Sequence, residues 1–312
     1  MPPSADPRAR RATAPRVAIV VDRPDWHART LSKALRVLGA APVAMRLEAC
    51  AFDTGSASGL VLDGFGQQLP DAVLVRTVAG GSFESVTVRL GILHALRERG
   101  VMVWNDARAI ERCVDKSMTS FALAQNAVPT PQTWAVQNLA TARAIVARAA
   151  GPLVLKPLFG SQGRGLRLIT TPDDLPAPDD VSGVYYLQRF VGVERDGFHD
   201  FRLLVSRGRV IAAMMRHSKE WITNVKRGGR PVTVAANDDM KALAVRAAAA
   251  VGADFAGVDL LYDASGRASV LEVNSMPAWS GLQTVTAVSI AGILAADLVA
   301  ALAAHTAREA TA

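Results

Sequence analysis

The sequence contains few cysteines and few aromatic residues. Its two cysteines, Cys50 and Cys113, lie too far apart among the 312 residues to form a metal-binding cluster. Their scarcity excludes a disulfide-stabilised scaffold and a zinc site built from cysteine pairs, and it favours a reducing, cytoplasmic location. Aromatic residues make up 5% of the chain, and no basic motif is interleaved with them. The net charge of +7 is therefore compatible with nucleic acid or with anionic substrates and does not by itself indicate either.

No uninterrupted apolar run is long enough to span a membrane. The run Val17–Val21 ends at Asp22, which makes it too short for the core of a signal peptide. The apolar stretch from 287 to 304 contains Asp297, whereas a span requires about 20 mostly apolar residues. We therefore expect a buried amphipathic helix there and no membrane partner. Residues 1–15, rich in Arg, Pro and Ala, are expected to form a disordered basic tail.

The N-terminal part lacks a glycine fingerprint for dinucleotides after its first strand. Short β-branched runs alternate with amphipathic helical stretches, and this alternation predicts a parallel, doubly wound α/β sheet. We predict a Rossmann-like domain over residues 16–112. The candidate strands are 17–22, 71–76 and 101–104, and the candidate helices are 26–38 and 84–99.

From residue 113 onwards, clustered strands between helices predict an α+β unit. Its candidate helices are 116–125 and 240–251, and its candidate strands are 153–155, 166–169, 184–190, 201–205, 209–216, 257–262 and 268–273. We predict a small subdomain over 113–190 and a C-terminal subdomain over 191–312.

A glycine-rich segment, 159–165, lies between two candidate strands and follows Lys156. Such a loop allows close approach of backbone N–H groups to a phosphate, and the lysine adds positive charge. A glycine-rich hairpin without a ligand is the alternative. Arg216, at the end of another strand, is a candidate for binding a carboxylate or phosphate, with a solvated strand end as the alternative.

Two carboxylates flank a predicted turn near the C-terminus. If Ser265 and Gly266 form a two-residue turn, Asp259 lies opposite Glu272, and Asn274 shares the face of Glu272. Facing carboxylates repel each other, and a divalent cation such as Mg²⁺ or Mn²⁺ would remove that repulsion. A register shifted by one residue, with one acid facing solvent, is the alternative.

Taken together, these motifs resemble the RimK-like branch of the ATP-grasp carboxylate–amine ligases over residues 115–302. The resemblance implies an N-terminal Rossmann-like (pre-ATP-grasp) domain followed by a two-subdomain ATP-grasp fold, with ATP and two Mg²⁺ or Mn²⁺ ions as cofactors. By resemblance, the metal ligands are Asp259, Glu272 and Asn274, and the catalytic residues are Arg202, Asn224 and Arg227. The implied ATP-binding residues are Lys116, Lys156, Gly160, Ser161, Gln162, Gly163, Gly165, Gln188, Arg189, Phe190, Val191 and Asp200.

Two positions depart from the family pattern. Arg189 stands where the family often has an acid in the hinge strand that contacts adenine through its backbone. Trp279 is larger than the pattern leads us to expect in the acceptor region. The change at Arg189 removes any contact that the side chain of the acid would make with adenine. The change at Trp279 weakens any inference of the substrates of this chain from those of better-known relatives.

The implied reaction joins an acidic small-molecule or peptide acceptor to an amino acid, often L-glutamate, through an acyl phosphate. The segment 105–116 also resembles a subgroup that builds tetrahydromethanopterin- or methanofuran-type cofactors. Relatives form dimers or tetramers, so we expect a homo-oligomer. The alternatives are a nucleotide-binding module without catalysis, a basic nucleic-acid binder, a D-alanine-type ligase and an ATP-grasp kinase.

Overall fold

The computed structural model describes residues 14–160, 162–309 and 311. Residues 1–13 of the predicted basic tail therefore lie outside the described residues. The chain divides into two compact units. One comprises the described residues up to Trp104 together with those from Ala291, and the other spans Asn105–Ile290. This division differs from the predicted domains, because the last helix joins the N-terminal unit. The predicted subdomain boundary at residue 190 stays a prediction.

The N-terminal unit is built on a parallel sheet, as predicted. Its elements are β1 (Arg16–Val20), α1 (Trp26–Val37), β2 (Ala41–Met45), β3 (Ala51–Phe52), β4 (Leu60–Val61), β5 (Ala72–Val75), α2 (Phe83–Glu98) and β6 (Met102–Trp104). The strand order is β2-β1-β5-β6 with every pair parallel, and β3 and β4 form a separate hairpin. β2 was not predicted, because Pro42 and two alanines give this segment little strand character.

The second unit contains two antiparallel sheets. Its helices are α3 (Ala107–Val114), α4 (Lys116–Gln125), α5 (Leu139–Arg148), α6 (Asp238–Val251) and α7 (Ser280–Gln283). Its strands are β7 (Thr133–Val136), β8 (Leu153–Lys156), β9 (Arg167–Ile169), β10 (Tyr185–Arg189), β11 (Phe198–Ser206), β12 (Arg209–Ser218), β13 (Arg230–Thr233), β14 (Phe255–Tyr262) and β15 (Ala268–Asn274).

Each antiparallel sheet carries its own hydrophobic core. The four-stranded sheet has the order β7-β10-β8-β9 and packs on α5 through Ile145 and Val146. The five-stranded sheet has the order β13-β12-β11-β14-β15 and packs on α6 through Leu243 and Val251. Its other face carries the polar residues of the candidate site.

The last helix, α8 (Ile290–Glu309), is the one element of the described chain whose length and apolar composition would allow it to cross a membrane. Those two properties are weak evidence for a span, because buried helices of globular proteins share them. Four residues spaced four apart along α8 are buried, namely Ile290, Leu294, Leu298 and Leu302. This stripe matches the predicted amphipathic helix packed on a protein core.

Asn105 joins two segments of the larger sheet through a side chain that is fully buried. Its Nδ2 donates to the carbonyl oxygens of Phe255 and Ser275, each at 2.6 Å, and its Oδ1 accepts from the Phe255 N–H at 3.0 Å. Asn105 therefore fixes the start of β14 against the segment that follows β15.

Replacing Asn105 with alanine should reduce the free energy of unfolding by about 2–4 kcal/mol, because buried backbone groups lose their partners. Urea unfolding followed by circular dichroism measures this loss. Asn126→Ala, which removes one exposed hydrogen bond to the Ala122 carbonyl, is the control and should cost less than about 1 kcal/mol. Equal losses in the two variants would contradict the role given to Asn105.

Candidate active site

Two facing carboxylates lie on the last two strands of the five-stranded sheet. Asp259 of β14 is in register with Glu272 of β15, as the sequence analysis predicted. The predicted two-residue turn is wrong, however, because Asp263 N–H donates to the Arg267 carbonyl across a three-residue loop. A β-bulge between Asp259 and Leu260 compensates for the extra loop residue and restores the facing pair.

Asp259 is buried and bound by two arginines, Arg202 of the adjacent strand β11 and Arg216 of β12, the strand beyond it. Arg202 donates from Nε to Oδ1 and from Nη2 to Oδ2, both at 2.7 Å, and Arg216 Nη2 donates to Oδ2 at 2.8 Å. Arg216 also forms a two-bond ion pair with Asp200, its cross-strand partner. Burial alone would raise the pKa of Asp259, but the charges and hydrogen bonds of the two arginines outweigh it and hold the pKa at about 2.

Two lysines approach the same place from other elements. Lys116 is the first residue of α4, where Asp115 caps the helix by accepting from Ser117 N–H. Its Nζ donates to the carbonyl oxygens of Leu158 and Gly160, at 3.2 and 2.9 Å.

The second lysine, Lys156, ends β8, and its Nζ donates to Gln188 Oε1 at 2.6 Å. Burial lowers the pKa of Lys156 to about 8, although Glu272 and Asp259 attract its charge. Lys156 therefore combines a positive charge with a pKa close to neutrality, so its charge depends on pH in the range in which enzymes work.

These groups line a cleft of about 940 Å³, a figure that includes space open to solvent. The predicted residues that line it are Lys116, Lys156, Gly160, Gln162, Gly163, Gln188, Arg189, Phe190, Val191, Asp200, Asn224, Asp259 and Glu272. The structure thus brings most of the predicted site together, and Ser161 lies outside the described residues.

Part of the lining is apolar and could enclose a planar base. It includes Val154, Leu166, Phe190, Leu261 and Leu271. Of these residues, only Phe190 was predicted to belong to the site. Leu261 follows Asp259 by two residues along β14, so strand periodicity was the signal that could have found it.

The backbone of the predicted hinge, residues 189–191, offers a ligand one free N–H group rather than several. Arg189 N–H donates to the Gln132 carbonyl and Phe190 N–H to the Pro152 carbonyl, at 2.8 and 3.0 Å. Among the residues that the structure describes, Val191 N–H has no such partner. Val191 is therefore the hinge residue whose N–H is available to a ligand.

The glycine-rich loop approaches the opposite wall very closely. Gly163 has a φ of +70°, and a Cβ there would lie 2.6 Å from Asn224 Oδ1 and 2.8 Å from Ile222 Cγ2. Only glycine satisfies both the backbone conformation and this contact. The neighbouring Gly165 (φ +71°) packs on Pro157 instead and does not line the cleft.

Three further predicted residues do not line the cleft. Arg202 contacts it only through Asp259, and Arg227 is exposed in a tight turn that follows Asn224. Asn274 donates from Nδ2 to the Gly257 carbonyl at 3.5 Å, and its Oδ1 accepts no hydrogen bond from the described residues. A catalytic role for Arg227 would therefore require movement of its turn.

Arg216 and Trp279 behave differently from the sequence expectations. Arg216 is 3% exposed, so a solvated strand end is wrong, and the carboxylates that it binds are the protein's own. Trp279 is fully buried with its ring 5.9 Å from that of Phe255, and it does not line the cleft. Its size therefore reflects core packing.

The oxygen donors fit a small divalent cation. Asp259 and Glu272 face each other, and Asn274 follows two residues along β15, so the three side chains offer oxygen ligands. Such a set suits Mg²⁺. No group of three or more His, Cys, Asp or Glu residues that could bind a metal occurs in the described part of the chain, so an amide would have to supply the third donor.

Comparison with known proteins identifies the family. The model of the RimK-like ATP-grasp domain matches residues 113–298. The chain belongs to this family. It is accordingly an ATP-dependent carboxylate–amine ligase, and ATP is the nucleotide for which the ATP-grasp cleft is built.

Two relatives agree with this assignment, and a solved structure shares the fold. The tetrahydromethanopterin:alpha-L-glutamate ligase of Methanosarcina acetivorans is 30% identical over 301 residues, covering 84% of this chain and 92% of the relative. The ligase of the same name from Methanococcus maripaludis is 36% identical over 200 residues, covering 62% of this chain and 68% of the relative. A structure of the ATP-grasp ligase PsnB with precursor, Mg and ADP shares the fold, with a TM-score of 0.68 at 23% identity over 92% of this chain and 98% of PsnB.

The Gly163→Ala variant should weaken ATP binding at least about tenfold, since its Cβ would push the loop away from Asn224. Gly183→Ala is a matched control, because its φ of +73° imposes the same backbone strain with no atom within 4 Å. The Kd of a non-hydrolysable ATP analogue measures the effect. Equal weakening in both variants would attribute the effect to strain rather than to contact.

Nucleotide affinity should fall as Lys156 loses its charge at alkaline pH. With a pKa of about 8 in the free protein, the charged fraction declines above pH 8, and the affinity for the analogue should drop about tenfold between pH 7 and pH 9. Lys156→Arg keeps its charge throughout this range, so its affinity should remain level. A parallel decline in both proteins would assign the titration to another group.

Proposed function

We propose that this ligase attaches an amino acid of the L-glutamate type to an acidic small-molecule or peptide acceptor. The observation that carries the proposal is the grouping of two lysines, a glycine-rich loop and two facing carboxylates around one cleft. The glutamate part rests on the names of the relatives, which include probable alpha-L-glutamate ligases of Hahella chejuensis and Alkalilimnicola ehrlichii. An acceptor of the tetrahydromethanopterin type is the narrower form of the proposal, supported by the names of the relatives from Methanosarcina acetivorans and Methanococcus maripaludis.

In the proposed reaction, an acceptor carboxylate oxygen attacks the γ-phosphorus of ATP, giving an acyl phosphate and ADP. The amine of the amino acid then attacks the acyl carbon, phosphate leaves, and the amine proton passes to solvent. Such a reaction depends mainly on positioning and on charge stabilisation. In this chain, Lys116 and Lys156 would hold the phosphates, and the glycine-rich loop would exclude water from the acyl phosphate.

Asp259, Glu272 and Asn274 are proposed to hold Mg²⁺ or Mn²⁺, with two ions as the expected number. When bound, such ions offset negative charge on the phosphate oxygens. Asn224, which contacts the glycine-rich loop, is proposed to position the triphosphate, and Arg202 to stabilise the transferred phosphoryl group. Arg227 is proposed to reach the acceptor if its turn closes.

A cytoplasmic location and a homo-oligomer complete the proposal. Both cysteines are free and buried, which suits a reducing compartment. Size-exclusion chromatography with light scattering tests the expected dimer or tetramer.

The decisive experiment follows phosphate release in mixtures of acidic acceptors and amino acids, with mass spectrometry of the product. We expect release that requires both an acceptor and L-glutamate, together with an amide product. ATP binding without acceptor-dependent ADP release would indicate a nucleotide-binding module. Activity with D-alanine would favour a D-alanine-type ligase. A phosphorylated product without an amide would favour a kinase. Strongly salt-dependent binding of DNA or RNA would favour a nucleic-acid binder.

Glu272→Gln should lower kcat at least about a hundredfold while leaving the fold intact, because one charge opposite Asp259 is lost at the phosphate site. Glu98→Gln, on the exposed surface of α2, is the matched control and should retain full activity. Steady-state ATP turnover and circular dichroism measure both properties. Undiminished turnover in Glu272→Gln would contradict the metal-ligand role of that residue.

A further inference from the structure

The carboxylate that the proposed cation needs is already engaged by the protein. Asp259 Oδ1 accepts from Arg202 Nε, and Oδ2 accepts from both Arg202 Nη2 and Arg216 Nη2. Asp259 is 3% exposed, so these guanidinium groups take the place of solvent around a buried charge. A cation could coordinate this carboxylate only after at least one of these contacts breaks.

The two arginines are not equally free to leave. Arg216 is held from its other side by Asp200, and its side chain is 3% exposed. Arg202 has a more exposed side chain, at 14%, and among the residues that the structure describes its guanidinium group donates hydrogen bonds to Asp259 alone. Arg202 is therefore the group that can move without breaking a second ion pair.

We propose that Arg202 occupies the cation position on Asp259 in the nucleotide-free protein and moves to the phosphates when nucleotide and metal arrive together. By this exchange Arg202 makes metal binding depend on nucleotide. The inference rests on the proposed phosphate site, since that site supplies the new partner for the guanidinium group.

The charges around Asp259 explain why neither ligand suffices alone. A metal ion without nucleotide would have to displace a two-bond guanidinium–carboxylate pair, and the released Arg202 would remain beside the new cation. A nucleotide without metal would bring phosphates towards Asp259 and Glu272, whose charges would repel them. When the two arrive together, the metal replaces Arg202 on the carboxylate and the phosphates replace Asp259 on the arginine.

Binding of Mn²⁺, measured by electron paramagnetic resonance on the full chain without nucleotide, tests the exchange directly. We expect weak binding by the wild-type protein and binding about ten- to a hundredfold tighter by Arg202→Met, because hydrogen bonds to charged groups no longer compete. Arg167→Met, on the exposed strand β9, is the matched control and should bind as wild type does. Adding Asp259→Asn to Arg202→Met should abolish the gain.

Two outcomes would overturn the proposal. One is a correctly folded Arg202→Met variant, checked by circular dichroism, that binds Mn²⁺ no more tightly than wild type. The other requires no variant: wild-type protein that binds Mn²⁺ equally well with and without an ATP analogue. Both tests measure Mn²⁺ binding and do not depend on amide formation. A failure of the ligase assay would therefore contradict the proposed function without affecting the result for Mn²⁺ binding.

Discussion

The buried carboxylate of Asp259 is the constraint on which the rest of the site depends. A charge removed from water must be protonated or matched by an opposite charge with hydrogen bonds. Here Arg202 and Arg216 supply the match, and Asp200 in turn compensates Arg216. The polar face of the sheet is therefore a connected set of charges on adjacent strands, in which removing one partner leaves another without compensation.

This set exists only because the strands pair in one register. Arg202 lies opposite Asp259 across β11 and β14, and Asp259 lies opposite Glu272 across β14 and β15. A slip of one residue would turn either acid to the helix-covered face. The register is fixed locally: Asp263 accepts hydrogen bonds from Ser265 N–H and Arg267 N–H and so shapes the three-residue loop, and the bulge after Asp259 absorbs the extra residue.

The sequence predicted the facing acids through a turn that does not form. Two features were missed, the longer loop and the bulge, and their effects on the register cancel. The two-residue periodicity of a strand predicts the face of the sheet on which a side chain lies. It does not predict a bulge, because a bulge depends on pairing with the neighbouring strand. The parallel and antiparallel sheets were predictable for the same reason as the acids, because local patterns of two and 3.6 residues determine them.

Tertiary contacts determined the remaining differences from the sequence expectations. Whether a guanidinium group meets solvent, a ligand or a carboxylate of its own protein depends on strands distant in sequence, so the role of Arg216 between Asp200 and Asp259 could not be derived from its position at a strand end. The same holds for the hinge, where Gln132 and Pro152 take up the N–H groups of Arg189 and Phe190. The helix at the C-terminus was predicted, but its membership of the N-terminal unit follows from packing alone.

The basic residues of the site that are discussed above, Lys116, Lys156 and Arg202, fall into two kinds according to the groups to which they donate. Lys116 donates to carbonyl oxygens of the glycine-rich loop and Lys156 to the amide of Gln188, and these acceptors are neutral. A triphosphate can draw the lysines away from neutral acceptors without leaving a buried charge behind. Arg202 is bound to a carboxylate, so its release requires another cation on Asp259. The lysines are therefore suited to first contact with the nucleotide, and the arginine to sensing whether a metal accompanies it.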